Sequence, residues 1–100
     1  MSNNQLLSLL GLCRAAHLCS FGHDAAKASL RARKARLCLL CTDASPRLAR
    51  EFEFLTGEAK IALRKIPFTS LDIKQATQFK AAVVTIDDKG FADKIAQILT

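Results

Sequence analysis

The sequence specifies an α/β fold: a three-layer α/β/α sandwich around a four-stranded mixed sheet. Three observations lead there. Apolar residues switch repeatedly between the spacing of an amphipathic helix and short unbroken runs typical of buried strands. The resulting order, α-β-α-β-α-β-α-β-α, is the alternation that places helices on both faces of one sheet. Half of the 100 residues are apolar, with only four Gly and two Pro, which suits one domain over residues 1–100 and argues against a disordered chain.

The elements follow in order. Leu6, Leu7, Leu9, Leu10 and Cys13 recur at helical spacing after Ser2, Asn3 and Asn4, predicting a helix over 3–16. Leu18–Ser20 reads as a short strand. Gly22 then breaks the chain, and His23 or Asp24 is placed to cap an alanine-rich helix from Ala25 to Ala32. Leu37–Cys41 is a continuous apolar run, the pattern of a strand buried on both faces. Ser45 as N-cap and Pro46 at the first helical position open a third helix, expected to stop between Leu55 and Gly57. Ile61–Lys65 reads as a more exposed strand closed by Pro67, and Ser70–Gln78 as a short helix. Ala82–Ile86 is β-branched and apolar, hence a buried strand. Asp87 or Asp88 caps a last helix that ends at Leu99.

Charge is distributed unevenly. Residues 1–50 carry eight Lys/Arg against two Asp, while residues 51–100 carry seven of each sign, so the whole formal excess of +6 lies in the first half. A localised excess of this kind attracts polyanions. No apolar run approaches the roughly 18–20 residues of a membrane span. The N-terminal residues lack the pattern of a secretion signal. With four cysteines, this predicts a reducing, cytoplasmic setting with free thiols.

The excess concentrates in Lys27, Arg31, Arg33, Lys34 and Arg36. If the second helix extends far enough, Lys27, Arg31 and Lys34 share one face. Upstream, a helix opened by Gly22 presents free backbone N–H groups and a partial positive charge, which suit phosphate oxygens. Phosphate contacts position a nucleic acid, whereas specificity needs contacts to bases or sugar hydroxyls, a role that His23 and Asp24 can take. Lys74 and Gln75 are expected to join from a neighbouring loop, and Arg14 to add a phosphate contact. The expected partner is structured RNA, with no membrane, metal or small-molecule cofactor, and a monomer as the default state.

Several stretches together give a resemblance: Leu9–Ala15, Gly22 with Asp24, Lys34–Leu40, Thr42–Pro46, Ile66–Thr69 and Asp88–Ala92. In order and spacing the chain resembles the ribosomal protein family of L-seven-Ae and L-thirty-e, and its small bacterial members most. The resemblance covers nearly the whole chain. It implies the same sandwich, no catalysis, no cofactor, and binding to kink-turn RNA or ribosomal RNA. The family's RNA-contacting signature reads G-x-N-E-x-x-K at the start of the second helix. Here Gly22 matches the glycine, but Asp24, Ala25 and Ala28 stand at the Asn, Glu and Lys positions. A second family pattern, E-L-G-x-A-x-G before the last strand, aligns with Asp72–Gln78, which lacks both glycines.

Two other readings compete. A protein-interaction module on the same fold would use an apolar loop around Phe68, Leu71 and Ile73 as a partner patch. A redox protein would use Cys38 and Cys41, and a zinc protein would add Cys13, Cys19 and His17. Residues three apart in a strand point to opposite faces, and the apolar flanks of Cys38 and Cys41 suit buried thiols better than reactive ones.

Overall fold

A computed structural model describes residues 3–99, with side chains from Gln5 onward. The elements are α1 (Asn3–Ala15), β1 (Cys19–Phe21), α2 (His23–Arg31), β2 (Leu37–Leu40), α3 (Pro46–Ala59), β3 (Leu63–Lys65), α4 (Ser70–Thr77), β4 (Val83–Ile86) and α5 (Lys89–Leu99). The sheet order is β1-β4-β2-β3, with β4 antiparallel to both β1 and β2, and β2 parallel to β3. Five helices flank a four-stranded mixed sheet, as an α/β/α sandwich requires. No helix among the described residues is long and apolar enough to cross a membrane.

The period of two along the central strands splits the core in two. Leu37, Leu39, Val84 and Ile86 face α1, α4 and α5, where they meet Leu6, Leu10, Ile73 and Ile95. Cys38, Leu40 and Val83 face α2 and α3, where they meet Ala26, Leu30, Phe52 and Leu55. Both central strands are buried throughout, which explains their unbroken apolar runs. The edge strands β1 and β3 are only half-buried and hold three residues each.

Cys38 and Cys41 point into opposite halves of the core, so they share neither a disulfide nor an ion. Burial pushes both thiols up to about 12. Phe68 and Ile73 belong to the core as well, at 7% and 0% exposure. The expected apolar partner patch therefore reduces to Leu71 and does not exist as a surface.

Two helix ends differ from expectation for local reasons, and at a third the structure decides between two expected caps. Neither His23 nor Asp24 caps α2; Gly22 occupies the N-cap position and makes no side-chain cap. The third helix passes through Gly57 instead of stopping there, because the following turn packs Ala59 against the α2–α3 half of the core. It stops at Lys60, which takes a left-handed φ of 58° while the next amide, of Ile61, donates to the Thr56 carbonyl at 2.9 Å. At the last helix, Asp88 is the cap: its Oδ2 accepts from the Phe91 amide at 2.9 Å. Asp87 is used elsewhere.

A lysine at a left-handed helix end is strained relative to glycine. Lys60→Gly is expected to raise stability by about 0.5–1 kcal/mol in urea unfolding, because Lys60 is exposed and relief of strain exceeds the added chain entropy.

Candidate nucleic-acid interface

The turn between β1 and α2 depends on Gly22. Its φ of 93° and ψ of 170° lie in a region open essentially only to glycine. The Gly22 amide donates to the Val83 carbonyl at 2.9 Å, which pins the turn to β4. No side chain caps the helix, so the first-turn amides of His23, Asp24 and Ala25 have no acceptor among the described residues. The Asp24 carboxylate is fully exposed beside them.

The basic residues beyond this turn do not form one stripe. Helix α2 ends at Arg31, and Arg33 takes a left-handed φ of 60°. The Lys34 amide closes the end by donating to the Ser29 carbonyl at 3.0 Å. Lys34 is therefore past the helix and out of register with Lys27 and Arg31. Those two lie on the side of α3: Lys27 Nζ is 3.3 Å from Glu51 Oε2, and Arg31 lines a cleft with Leu55, Glu58 and Ala59.

His23 joins the same α3 side. Its Nε2 lies 2.8 Å from Glu51 Oε1 and its Nδ1 2.9 Å from Asp24 Oδ1, and its ring meets Phe52 edge-on at 5.8 Å. With a carboxylate at each ring nitrogen, Asp24 first and then Glu51, its pKa is raised above the ordinary imidazole value. Glu51 is correspondingly lowered, chiefly by His23 and then by Lys27. The raised His23 pKa sets the sign of its pH dependence. The cluster's stabilisation is fully present below the unfolded histidine value and is lost as pH rises through the folded value. An NMR titration is expected to show His23 titrating high, and Glu51→Gln is expected to bring it down.

Lys34 and Arg36 instead line an open groove on the other side of α2, between that helix and β1, and Arg33 borders both this groove and the cleft that Arg31 lines. Its floor is Ala25, Ala28 and Ala32, and His17 and Ser20 complete the far wall. The three alanines recur at helical spacing, so one smooth face of α2 lies open to the groove. None of Arg33, Lys34 or Arg36 is within ion-pair distance of a carboxylate among the described residues. Asp87 forms the back of the groove. It accepts from Ser20 Oγ at 2.6 Å, Ser29 Oγ at 2.6 Å and Thr85 Oγ1 at 3.0 Å, joining β1, α2 and β4.

At one end the groove continues past Ala25 into a recess lined by Arg14, Phe21 and Phe79. The Arg14 guanidinium lies over the Phe79 ring at 5.0 Å, and Phe79 stacks on Phe21 at 5.5 Å. The α4–β4 connection that contributes here is Gln78–Ala82. Lys74 and Gln75 lie on α4 itself, both exposed, and Gln75 lines a separate groove against α1. Gln78, at the last glycine of the family's loop pattern, takes a left-handed φ of 75°.

Of the sequence-predicted site, the structure places Lys34 on the groove and Arg14 in the recess at its end, while Gly22 and Asp24 stay at the β1–α2 turn. It sets Lys27, Arg31 and His23 toward α3 and Lys74 and Gln75 on α4. The residues that line the groove and recess outside the predicted set include His17, Arg33, Arg36 and Phe79. Arg33 and Arg36 were in the basic cluster, but helical periodicity selected their neighbours.

No protein-family model matches the chain. It is 28% identical over 99 residues to RNA-binding protein YlxQ of Bacillus subtilis (strain 168), covering 99% of each protein. A Bacillus halodurans protein of unknown function has the same fold, with a TM-score of 0.87 at 22% identity, over 95% of this chain and 96% of that one. The 15.5kD RNA binding protein of Giardia lamblia also shares it, with a TM-score of 0.78 at 17% identity, over 96% of this chain and 82% of its own.

Proposed function

We propose that this chain is a non-catalytic binder of structured RNA, and that it is a divergent member of the L-seven-Ae and L-thirty-e family it resembles. The observation that carries the reading is the groove between β1 and α2. Three cations without carboxylate partners among the described residues, Arg33, Lys34 and Arg36, stand over a smooth alanine floor that an RNA backbone can approach closely. Likeness to an RNA-binding protein along the full chain supports it.

In this reading Arg33, Lys34 and Arg36 pair with phosphates at one end, and Arg14 and His17 extend the positive surface toward the other. The open amides after Gly22 donate to a further phosphate oxygen, aided by the helix dipole. Asp24 accepts from a sugar hydroxyl or an exocyclic amine. Lys27 and Arg31 add to the long-range attraction without direct contact. The side chains that the family signature would place on the α2 floor are replaced by Ala25 and Ala28, so affinity rests on backbone contacts.

The test is a titration of a kink-turn RNA and of a ribosomal RNA fragment at two salt concentrations. The logarithm of the affinity should fall with that of salt by roughly 0.7–0.9 per phosphate neutralised, giving a slope near three. Absence of binding to either RNA at low salt overturns the reading.

A further inference from the structure

The groove between β1 and α2 is cationic along its wall yet carries a carboxylate at its back. Ser20 is the middle residue of β1, and its neighbours Cys19 and Phe21 pack on the α1 side of the sheet. Its own side chain therefore points the other way, into the groove. There Ser20 Oγ donates to Asp87 Oδ2 at 2.6 Å. Asp87 Oδ1 is filled by two donors, Ser29 Oγ at 2.6 Å and Thr85 Oγ1 at 3.0 Å, whereas Oδ2 receives only Ser20 among the described residues. No cationic side chain among the described residues forms an ion pair with Asp87. With its one proton committed to Asp87, the Ser20 hydroxyl keeps its lone pairs and accepts from no described residue. Ser20 Oγ and Asp87 Oδ2 thus offer acceptors alone. A phosphate oxygen is an acceptor too and is repelled at that point. A strand that seats its phosphates on Arg33, Lys34 and Arg36 must turn a donor toward the back, and on a sugar–phosphate backbone that donor is the ribose 2′-hydroxyl.

Resting on the RNA reading above, we infer that Ser20 Oγ, held by Asp87, accepts a hydrogen bond from one ribose 2′-hydroxyl, and that this contact makes the groove select RNA over DNA. The cations alone serve either polymer, because both carry the same phosphates. The acceptor pair reads the sugar instead. Its direction is set before any ligand arrives: α2 and β4 hold Asp87 through Ser29 and Thr85, and the Asp87 amide is tied to the Leu18 carbonyl at 2.8 Å. The Ser20 proton therefore stays on Asp87, and the hydroxyl does not turn to donate to a phosphate.

The experiment uses the full chain and the kink-turn RNA or ribosomal RNA fragment of the titration above, whichever binds more tightly, in copies that carry 2′-fluoro at one nucleotide each. Fluorine removes the hydroxyl proton and keeps the sugar pucker of RNA. In wild type, substitution at one nucleotide is expected to weaken binding by roughly 2- to 10-fold, the worth of one hydrogen bond. Ser20→Thr keeps the hydroxyl and should keep that sensitivity. Ser20→Val fills the same space without it. This variant should bind the unmodified RNA as weakly as wild type binds the fluorinated copy, and should be indifferent to fluorine at that nucleotide. Its preference for RNA over DNA of the same sequence should narrow by the same factor. Ser20→Ala, which adds no bulk, gives the same comparison if the valine variant does not fold. If no fluorinated copy weakens wild-type binding, or if every sensitive nucleotide stays equally sensitive in Ser20→Val, the contact is overturned. If the folded wild type binds neither unmodified RNA at low salt, the RNA reading itself fails.

Discussion

Arg33→Glu combined with Lys34→Glu is expected to weaken RNA binding by about 100-fold or more at 0.1 M salt, and to reduce the salt slope by about two. Both side chains lie on the alanine-floored groove and neither has a carboxylate partner among the described residues. Each substitution removes a phosphate contact and adds a repulsion at the same point. Lys27→Glu combined with Arg31→Glu changes net charge by the same amount, on α2 itself. It is expected to cost less than about 5-fold, because Lys27 is already held by Glu51 and both residues sit on the α3 side, where salt screens their effect on the groove. Binding curves for the two double variants, each checked for folding by circular dichroism, decide between groove and helix stripe. Equal losses would show that only total charge matters.

The largest effect on stability is expected at Asp87. Its carboxylate accepts three hydroxyl groups at 2.6–3.0 Å, and two of the donors, Ser29 and Thr85, are 5% and 0% exposed. Its amide also donates to the Leu18 carbonyl at 2.8 Å. Hydrogen bonds to a charged acceptor are worth more than neutral ones, and removing the acceptor leaves buried donors unsatisfied. Asp87→Ala should therefore cost about 3–5 kcal/mol, read as a lower urea midpoint. Asp87→Asn keeps an acceptor oxygen and should recover part of that loss. The Ser20 bond belongs to the groove wall, so the alanine variant should also weaken RNA binding beyond what its stability loss explains. An Asp87→Ala chain as stable as wild type would show that the hydroxyls find other acceptors.

The fold was readable because its two signals are strong. The unbroken runs at Leu37–Leu40 and Val83–Ile86 are the buried central strands, and Ser45-Pro46 marks the start of α3 as helix chemistry requires. Ends were less readable where tertiary contact overrides a local preference. Gly57 looked like a stop, yet Ala59 has core to cover. The proposed site was legible only in part: the basic cluster from Lys27 to Arg36 supplies its cations, but not the ones that helical spacing favours. A single left-handed residue, Arg33, then turns the chain and hands the groove to a different set of cations than periodicity selects. Phe79 left little trace, because an aromatic in a polar connection acquires its meaning from Phe21 and Arg14, which are distant in sequence. For Asp87 and Asp88 the sequence saw two equivalent caps, and the fold gave them separate tasks.

The middle of the sheet also dictates when this protein can assemble. Strand β4 bridges β1 and β2, yet it is the last of the four to leave the ribosome. Until residues 83–86 emerge, β1 has no neighbour, and the wall it shares with α2 lacks its anchor at Asp87. A nascent chain of some eighty residues therefore lacks the completed wall of the proposed RNA groove, so capture of a ligand there would follow completion of the sheet.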